Sequence, residues 1–382
     1  MKLFEDKTRT RLHPAQHIEE LYEYYDSSAQ KDIANIRKLL NDWFEKYPNS
    51  EKPELKSRFI GSFYPAFFEL FLYEVFSRLG FQIIIHPEIE NSNKRPDFLL
   101  RKNRLEVYVE AKEASDKSSN VEKIQNREGY FYDSLNKVIS PNFFLQVKKI
   151  DIKTHEQPAI RRITRQVEDW LNDLDPDFIE GKMIERDFDS IPSFRINNDK
   201  ILIEIKPIPK SKENRGKADG RPIGMYPIKF FWGGSENSVR KAIERKINRY
   251  GKLTKPYLIC INTTGLRGVE EDDVLDAIFG TQVLSHDFTN NKSSVKRESD
   301  GLVYGNNGAR NKNASTFFIT NVLPHNLHIA KYWIYKHPFA ENDLDLSEAN
   351  LTYHYIDNNE IQRQRGKEIV EILSLKENWL DE

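Results

Sequence analysis

The chain has 382 residues, of which 38% are hydrophobic and 31% charged, and its formal net charge at pH 7 is −1. This length and composition exclude a wholly disordered chain and allow a sizeable core or two domains. The single cysteine, Cys260, excludes an internal disulfide and a thiolate zinc cluster. The N-terminus lacks an apolar signal segment, and the apolar runs are too short to cross a bilayer, so we expect a cytoplasmic protein without a membrane partner.

The apolar residues of the N-terminal part recur at helical spacing. One helix is predicted from about Ile33 to Phe44, with Pro48 after its end, and "NSEKPELKS" is predicted to be a linker. A second helix runs through "YPAFFELFLYEVFSRLG" and stops at Gly80. Three strand-like runs follow: "FQIIIHPEI", "RPDFLL" and "RLEVYVEAK".

Helical and strand-like segments then alternate as far as Thr264. Farther on, "STFFITNVL" and "NLTYHYID" are predicted strands, and the chain from Asn359 is predicted to be helical. This succession indicates an α/β protein with a mixed central β-sheet flanked by helices. We expect an N-terminal helical region at 1–55, a core at 56–265, a C-terminal α+β extension with additional strands at 266–345, and an acidic helical tail at 346–382.

The charged residues are unevenly distributed along the chain. Glu204 to Lys255 contains 14 Lys and Arg against 5 Asp and Glu, whereas Glu341 to Glu382 contains 4 against 11. The pattern fits a middle segment that faces an anion and an acidic tail that docks a partner. Two solvated surfaces that balance each other would give the same counts.

The stretch "KRPDFLLRKNRLEVYVEAKEAS" is predicted to be a hairpin that turns at Lys102–Asn103. In that register Arg101 lies opposite Arg104, and Asp97 lies opposite Tyr108. Because side chains alternate between the faces of a strand, Glu110 and Lys112 share the face of Asp97, and the apolar residues share the other face.

This polar face brings two carboxylates and an amine together. Asp97 and Glu110 would be diagonal neighbours, roughly 7–8 Å apart, and carboxylates that close repel unless a cation or a proton lies between them. Mg²⁺ suits such a pair, since it prefers oxygen ligands and often takes only one or two carboxylates. With Lys112 to position a water or stabilise developing charge, the arrangement predicts phosphodiester hydrolysis. A hairpin whose polar face is merely solvated is the alternative.

"RPD", twelve further residues and then "EAK" resemble the signature of the PD-(D/E)xK nuclease superfamily, which has the restriction-endonuclease-like fold. The resemblance covers about Phe63 to Lys112, and more loosely the elements up to Thr264. It implies that Asp97, Glu110 and the Ala111 carbonyl bind Mg²⁺, with Mn²⁺ as a substitute, and that Lys112 is the catalytic lysine.

The resemblance also implies an acidic residue on the preceding helix. Glu74 has Arg78 four residues later, as in an ordinary exposed pair. Glu69 lies on a mainly apolar stripe with Leu72 and Phe76, where an acid needs a reason. We therefore expect Glu69 to complete the acidic and metal-binding cluster.

A basic helix is predicted in "SENSVRKAIERKINRYGK". Five of its residues could follow a phosphate backbone: Arg240, Lys241, Arg245, Lys246 and Arg249. A solvated helix face is the alternative.

A second, weaker match to the motif pairs Asp177 with Glu204 and Lys206. Here 26 residues separate the two acids, and no hairpin relates them. The sequence thus predicts a Mg²⁺-dependent DNA nuclease, and defence against foreign DNA or repair is the setting that the resemblance implies. The alternative is an inactive nuclease-fold protein that binds nucleic acid or a partner. A homodimer is also considered. The acidic tail would dock a protein partner or cover the basic surface as an autoinhibitor, in which case its deletion would raise DNA affinity.

Overall fold

The computed structural model describes the chain outside residues 14, 17–18, 91, 116–118, 155–158, 218–220, 226–234, 266–268, 288–291, 359, 377 and 381–382. The α-helices in the described part are α1 Leu21–Ser27, α2 Lys31–Lys46, α3 Lys52–Gly61, α4 Phe63–Arg78, α5 Ser119–Leu135, α6 Ile160–Asn172, α7 Pro176–Ile184, α8 Ser235–Ile247, α9 Glu271–Phe279 and α10 Ile369–Leu373. Among the described residues, no helix combines the length and apolar character that crossing a bilayer requires.

The strands are β1 Gln82–Ile85, β2 Phe98–Lys102, β3 Leu105–Ser115, β4 Phe143–Ile152, β5 Phe194–Asn197, β6 Ile201–Pro209, β7 Ile223–Met225, β8 Tyr257–Gly265, β9 Gln282–Asp287, β10 Lys292–Arg297, β11 Tyr304–Gly305, β12 Gly308–Ala309, β13 Thr316–Thr320, β14 Tyr332–Lys336, β15 Tyr353–Asp357 and β16 Glu360–Gln364.

The chain forms two compact units. The first contains Met1–Pro14, Glu20–Asp116 and Trp232–Glu382, and the second contains Ala15–Glu19 and Lys117–Phe231. The predicted division placed one core at 56–265, which differs from these two units. The strands between β3 and α8 pair with one another in a separate sheet, and strand-like runs in a sequence do not reveal their partners.

The first unit is built on a mixed sheet. In the described part of the chain this sheet has eight strands, in the order β1-β2-β3-β8-β13-β14-β15-β16. β3, β8 and β13 run parallel, whereas β1–β2, β2–β3, β13–β14 and β15–β16 are antiparallel pairs. The predicted α/β class with a mixed central sheet is confirmed. The predicted extension at 266–345 is not separate, because β13 and β14 continue this sheet.

Helices cover both faces of the central sheet. On one face, buried residues such as Leu99, Tyr108 and Ile259 pack with Val239 and Ile243 of α8 and with residues of α9. On the other face, Phe76 of α4 and Phe81 meet sheet residues that include Leu100, Val107 and Leu258. The hairpin β2–β3 is therefore apolar on both faces for most of its length, and the expectation of one polar, open face holds only at its end.

The second unit has a smaller sheet in the order β5-β6-β4-β7. β4 pairs antiparallel with β6 and parallel with β7. Alternate residues of β4 and β6 are buried, and they pack with α5, α6 and α7 in a core of their own.

Two predicted segments have a different structure. The predicted linker "NSEKPELKS" contains the start of α3, where Pro53 lies in the first turn, a position in which its missing N–H is not needed. The predicted helical tail at 346–382 contains the hairpin β15–β16 before the short α10. Its turn includes Asn358, which has a left-handed φ of 50° that asparagine tolerates. Residues 359, 377 and 381–382 of this tail lie outside the described residues.

Candidate functional site

The register of the β2–β3 hairpin differs from the predicted one. Lys102 pairs with Leu105 and Phe98 pairs with Val109, so the turn is Asn103–Arg104. Asn103 has φ of 52°, the left-handed conformation that two-residue hairpin turns use. The predicted register placed two arginines opposite each other, whereas the observed one places Arg101 opposite Glu106, with Arg101 Nε 2.6 Å from Glu106 Oε1. Opposite charges stabilise a cross-strand pair, and like charges destabilise it.

This correction brings the two carboxylates of the motif closer. One step beyond the last pair, the register places Asp97 directly opposite Glu110, where the prediction had Tyr108. The shift is by two residues, so the side chains still share a face, as predicted. Directly opposed residues have Cβ atoms about 4.5–5.5 Å apart, less than the predicted diagonal separation.

Asp97 lies where β2 ends. Its Oδ2 accepts a hydrogen bond from the Ala111 amide at 2.6 Å, and its backbone carbonyl accepts one from the His86 amide at 3.0 Å. Burial raises the pKa of Asp97 to about 7, and the charge of Glu110 adds to the rise, while the Ala111 hydrogen bond opposes it. A positive charge beside this carboxyl would therefore stabilise its ionised form.

Glu110 is almost fully buried, with 1% of its surface exposed. Its Oε1 accepts from Lys246 Nζ and, at 3.0 Å, from Arg249 Nη1. The hydroxyl of Tyr250 donates to Oε2, and burial raises the pKa of that hydroxyl, so it keeps its proton. Both oxygens of Glu110 are therefore engaged, and two cations neutralise it.

Glu69 comes from α4 and is also buried. Its Oε1 accepts from the Tyr47 hydroxyl at 2.8 Å, and its Oε2 lies 2.5 Å from Arg58 Nη1. Arg58 was not predicted as a site residue, because it lies beyond a segment predicted to be a linker. It belongs to α3, which packs beside α4.

Glu74, the alternative acid on α4, is directed elsewhere. Its Oε1 lies 2.7 Å from Lys46 Nζ and 2.6 Å from Arg78 Nε. The Arg78 pair was expected, but Glu74 is 1% exposed, so the expected exposed pair is a buried one.

Glu69, Asp97 and Glu110, unlike Glu74, line a cleft of about 200 Å³, here called the acidic cleft. In the part of the chain that the structure describes, the acids that line it are Glu69, Asp97, Glu110 and Glu113. The cations on this described lining are Arg58, Lys112, Lys246 and Arg249. The cleft thus brings together Asp97, Glu110, Ala111, Lys112 and Glu69, as the sequence predicted.

Lys112 differs from the other cations of the acidic cleft. Its side chain is exposed, and it forms no ion pair with any residue that the structure describes. Arg58, Lys246 and Arg249 are each paired with a buried carboxylate. Lys112 is therefore available to a molecule that enters the cleft.

The five predicted nucleic-acid-binding residues do not form one surface. Lys246 and Arg249 face Glu110, while Lys241 and Arg245 are exposed. Arg240 is buried, with its Nη2 3.2 Å from Asp300 Oδ2 and its Nη1 2.8 Å from the Asn237 side chain. The sequence contained a signal for the inward position of Lys246. This residue follows Ala242 by four positions and Ile243 by three, which places it on the apolar stripe of the helix.

The predicted metal ligands are arranged differently from one another in the acidic cleft. In the described part of the chain, no group of three or more His, Cys, Asp and Glu side chains is arranged to hold a metal ion. Glu69 is held by Tyr47 and Arg58, so it is not a ligand in this arrangement. Asp97 has a hydrogen-bond donor among the described residues only at Oδ2, and it shares a face with Glu110. Glu110 is held by Lys246, Arg249 and Tyr250, so the two carboxylates fit a divalent ion only if contacts to Glu110 are given up.

The second match to the motif does not form a site. Asp177 on α7 lies 2.7 Å from Arg215, and Glu204 on β6 lies 3.1 Å from Arg195. The Lys206 ammonium donates to the Phe188 carbonyl at 2.7 Å. Each of the three thus has a partner of its own.

Comparisons of the chain with protein-family models, with curated proteins and with solved structures give no match. The residues of the acidic cleft therefore carry what can be inferred about function.

Proposed function

We propose that the protein is a Mg²⁺-dependent nuclease of the restriction-endonuclease-like fold that hydrolyses phosphodiester bonds in DNA. One observation carries the proposal: Asp97, Glu110 and the exposed Lys112 line the same cleft, at the point where the register continued past Phe98 and Val109 brings the two carboxylates opposite each other. A solvated turn does not need two buried or half-buried carboxylates that face each other, since each costs desolvation energy. The mixed sheet and the preceding helix α4 agree with the resemblance of the sequence.

Asp97, Glu110 and the Ala111 carbonyl would hold the ion. When bound, Mg²⁺ supplies a water of lowered pKa and a counter-charge for the phosphorane-like transition state. Lys112 would place its ammonium against the reacting phosphate or the attacking water, which its exposed position allows. Tyr250 would orient Glu110 through the hydrogen bond to Oε2.

Glu69 has a different part in this proposal from the one predicted. It fixes Arg58 at the wall of the acidic cleft rather than binding the ion. The exposed Lys241 and Arg245 would contact phosphates more remotely, in the manner of a salt-sensitive surface.

The test is incubation of the full chain with linear, circular and single-stranded DNA, and with RNA, with and without Mg²⁺. Cleavage is expected only with Mg²⁺, and it should be lost in Asp97→Ala and in Lys112→Ala. Arg104→Ala is the matched control, because Arg104 is an exposed cation at the turn of the same hairpin. If Lys112→Ala cleaves as fast as Arg104→Ala, the nuclease assignment fails.

A second candidate function is binding of nucleic acid or a partner without turnover. The observation in its favour is that Lys246, Arg249 and Tyr250 already engage both oxygens of Glu110. Calorimetric titration with Mn²⁺ separates the two functions: uptake that Asp97→Asn abolishes supports the nuclease, whereas no uptake supports the binding protein.

A further inference from the structure

Among the described residues that line it, the acidic cleft has as many cations as acids. Two cations converge on one carboxylate: Lys246 and Arg249 both contact Oε1 of Glu110. Glu110 has 2% of its side chain exposed, so a charge there needs a counter-ion in nearly any state of the protein. In the absence of a divalent ion, these two side chains serve that purpose.

A divalent ion at Glu110 would compete with them. Oε1 cannot accept two charge-assisted hydrogen bonds and also coordinate a metal at close range, and the added positive charges would repel the ammonium and the guanidinium. Metal binding at Asp97 and Glu110 should therefore release Lys246 and Arg249 from Oε1.

The released cations remain in the cleft. The Arg249 side chain is 39% exposed, and its guanidinium lies 5.6 Å from the centre of the Tyr250 ring, which keeps it near the opening. Lys246 is 13% exposed and lines the same cleft. A guanidinium and an ammonium that have lost a carboxylate are well suited to the oxygens of a phosphodiester.

We propose that Lys246 and Arg249 are exchangeable counter-ions, which neutralise Glu110 when no divalent ion is bound and bind phosphate oxygens of the nucleic acid when one is. The inference rests on the proposed function. It means that metal and nucleic acid each bind more tightly in the presence of the other. The coupling is reciprocal, so the metal affinity and the nucleic-acid affinity change by the same factor.

The experiment measures Mn²⁺ affinity by calorimetry, with and without a short deoxyoligonucleotide, in a Lys112→Ala background that prevents cleavage. We expect the oligonucleotide to tighten Mn²⁺ binding about tenfold, within the usual range of coupling. Adding Lys246→Met and Arg249→Met removes the competing charges and keeps the apolar stems. Mn²⁺ alone should then bind more tightly, and the effect of the oligonucleotide should shrink.

The double variant leaves a buried carboxylate without a counter-ion, which can prevent folding. Arg249→Met alone leaves Lys246 on Glu110, and it should show a smaller change in the same direction. Lys252→Ala is the control, because its side chain is 83% exposed and lies outside the cleft. It should leave the Mn²⁺ affinity unchanged.

The outcomes separate the two proposals. Mn²⁺ binding that is equally tight, and equally coupled to the oligonucleotide, in the background protein and in Arg249→Met would overturn the counter-ion exchange and leave the nuclease proposal standing. Failure of Mn²⁺ to bind in all forms, including the double variant where it folds, would overturn both.

Discussion

The side chain of Asp97 bonds to β3 beyond the last backbone pair of the hairpin: its Oδ2 accepts at 2.6 Å from the amide of Ala111, two residues after Val109, which pairs with Phe98. The same side chain therefore closes the end of the hairpin and supplies a carboxylate to the acidic cleft. These two roles can be separated by substitution, because only the second requires a charge.

Asp97→Asn keeps an oxygen that can accept from the Ala111 amide, whereas Asp97→Ala leaves that amide without its acceptor. We expect Asp97→Ala to lower the free energy of unfolding by about 1–3 kcal/mol, and Asp97→Asn to change it little. Both should abolish Mg²⁺-dependent cleavage, since neither carries the charge that binds the ion. Urea denaturation and a DNA cleavage assay on the same samples make the comparison, and wild-type cleavage by Asp97→Asn would contradict it.

Arg58 is expected to be important for stability as well as for the shape of the cleft. Glu69 is 2% exposed, and Arg58 lies 2.5 Å from its Oε2, so Arg58→Ala leaves a buried carboxylate with the Tyr47 hydroxyl as its remaining partner among the described residues. The expected loss in the free energy of unfolding is about 3–5 kcal/mol.

The control for Arg58→Ala is Lys56→Ala on the same helix. Lys56 pairs with Glu5, which is 65% exposed, and water screens an exposed pair, so its loss should cost much less than the loss of Arg58. Equal losses in urea denaturation of the two variants would show that Glu69 does not depend on Arg58.

The elements around the site were predictable because they depend on local sequence. Helix α4 and strands β2 and β3 follow from hydrophobic periodicity, and the shared face of Asp97 and Glu110 follows from alternation along a strand. An error of two residues in register changes which residues pair but leaves each side chain on the same face of its strand. The predicted pairs were therefore wrong, whereas the predicted shared face of Asp97 and Glu110 was right. The opposed arginines of the predicted register were the signal that could have corrected it.

The rest of the site depends on contacts that are distant in the sequence. Lys246 reaches Glu110 across 136 positions, and a single sequence does not place α8 on that face of the sheet. The only sign was a lysine on an apolar stripe, which is the same kind of sign that led to Glu69. The second unit was missed because its strands resemble those of the first in pattern and differ only in their partners.

His337 gives the protein a pH-dependent stability away from the acidic cleft. It is 2% exposed, its Nδ1 accepts from the Phe339 amide at 3.0 Å, and its Nε2 lies 2.8 Å from the Arg310 carbonyl. The ring is therefore neutral with its proton on Nε2. Burial lowers the pKa of His337 below its usual value of 6.5.

The sign of the effect follows from proton binding. Below about pH 6.5 the unfolded chain binds a proton at this histidine that the folded protein does not, so the free energy of unfolding falls as the pH decreases. The slope from one such group is at most about 1.4 kcal/mol per pH unit. His325 and His354, whose pKa values burial also lowers, contribute in the same direction.

Urea denaturation between pH 7.5 and 5.5 tests this. The free energy of unfolding should change less steeply with pH in His337→Gln than in the wild type, and the difference should not exceed about 1.4 kcal/mol per pH unit. Equal slopes would show that folding does not lower the pKa of His337.

The acidic tail is part of the fold, which limits how its proposed docking of a partner can be tested. β15 and β16 extend the central sheet, and α10 packs on α4 with Ile369, Ile372 and Leu373 buried. Removing the tail would therefore unfold the edge of the first unit, and a change in DNA affinity after truncation would have no simple meaning.

A point substitution measures directly how far α10 contributes to the core. Leu373→Ala should lower the free energy of unfolding by about 2–5 kcal/mol, the range for a buried leucine that leaves a cavity. Val370→Ala, on the partly exposed side of the same helix, should have a clearly smaller effect in the same urea titration. If both variants unfold at the wild-type urea concentration, α10 does not contribute to the core, and the tail is free to be deleted in a test of partner docking.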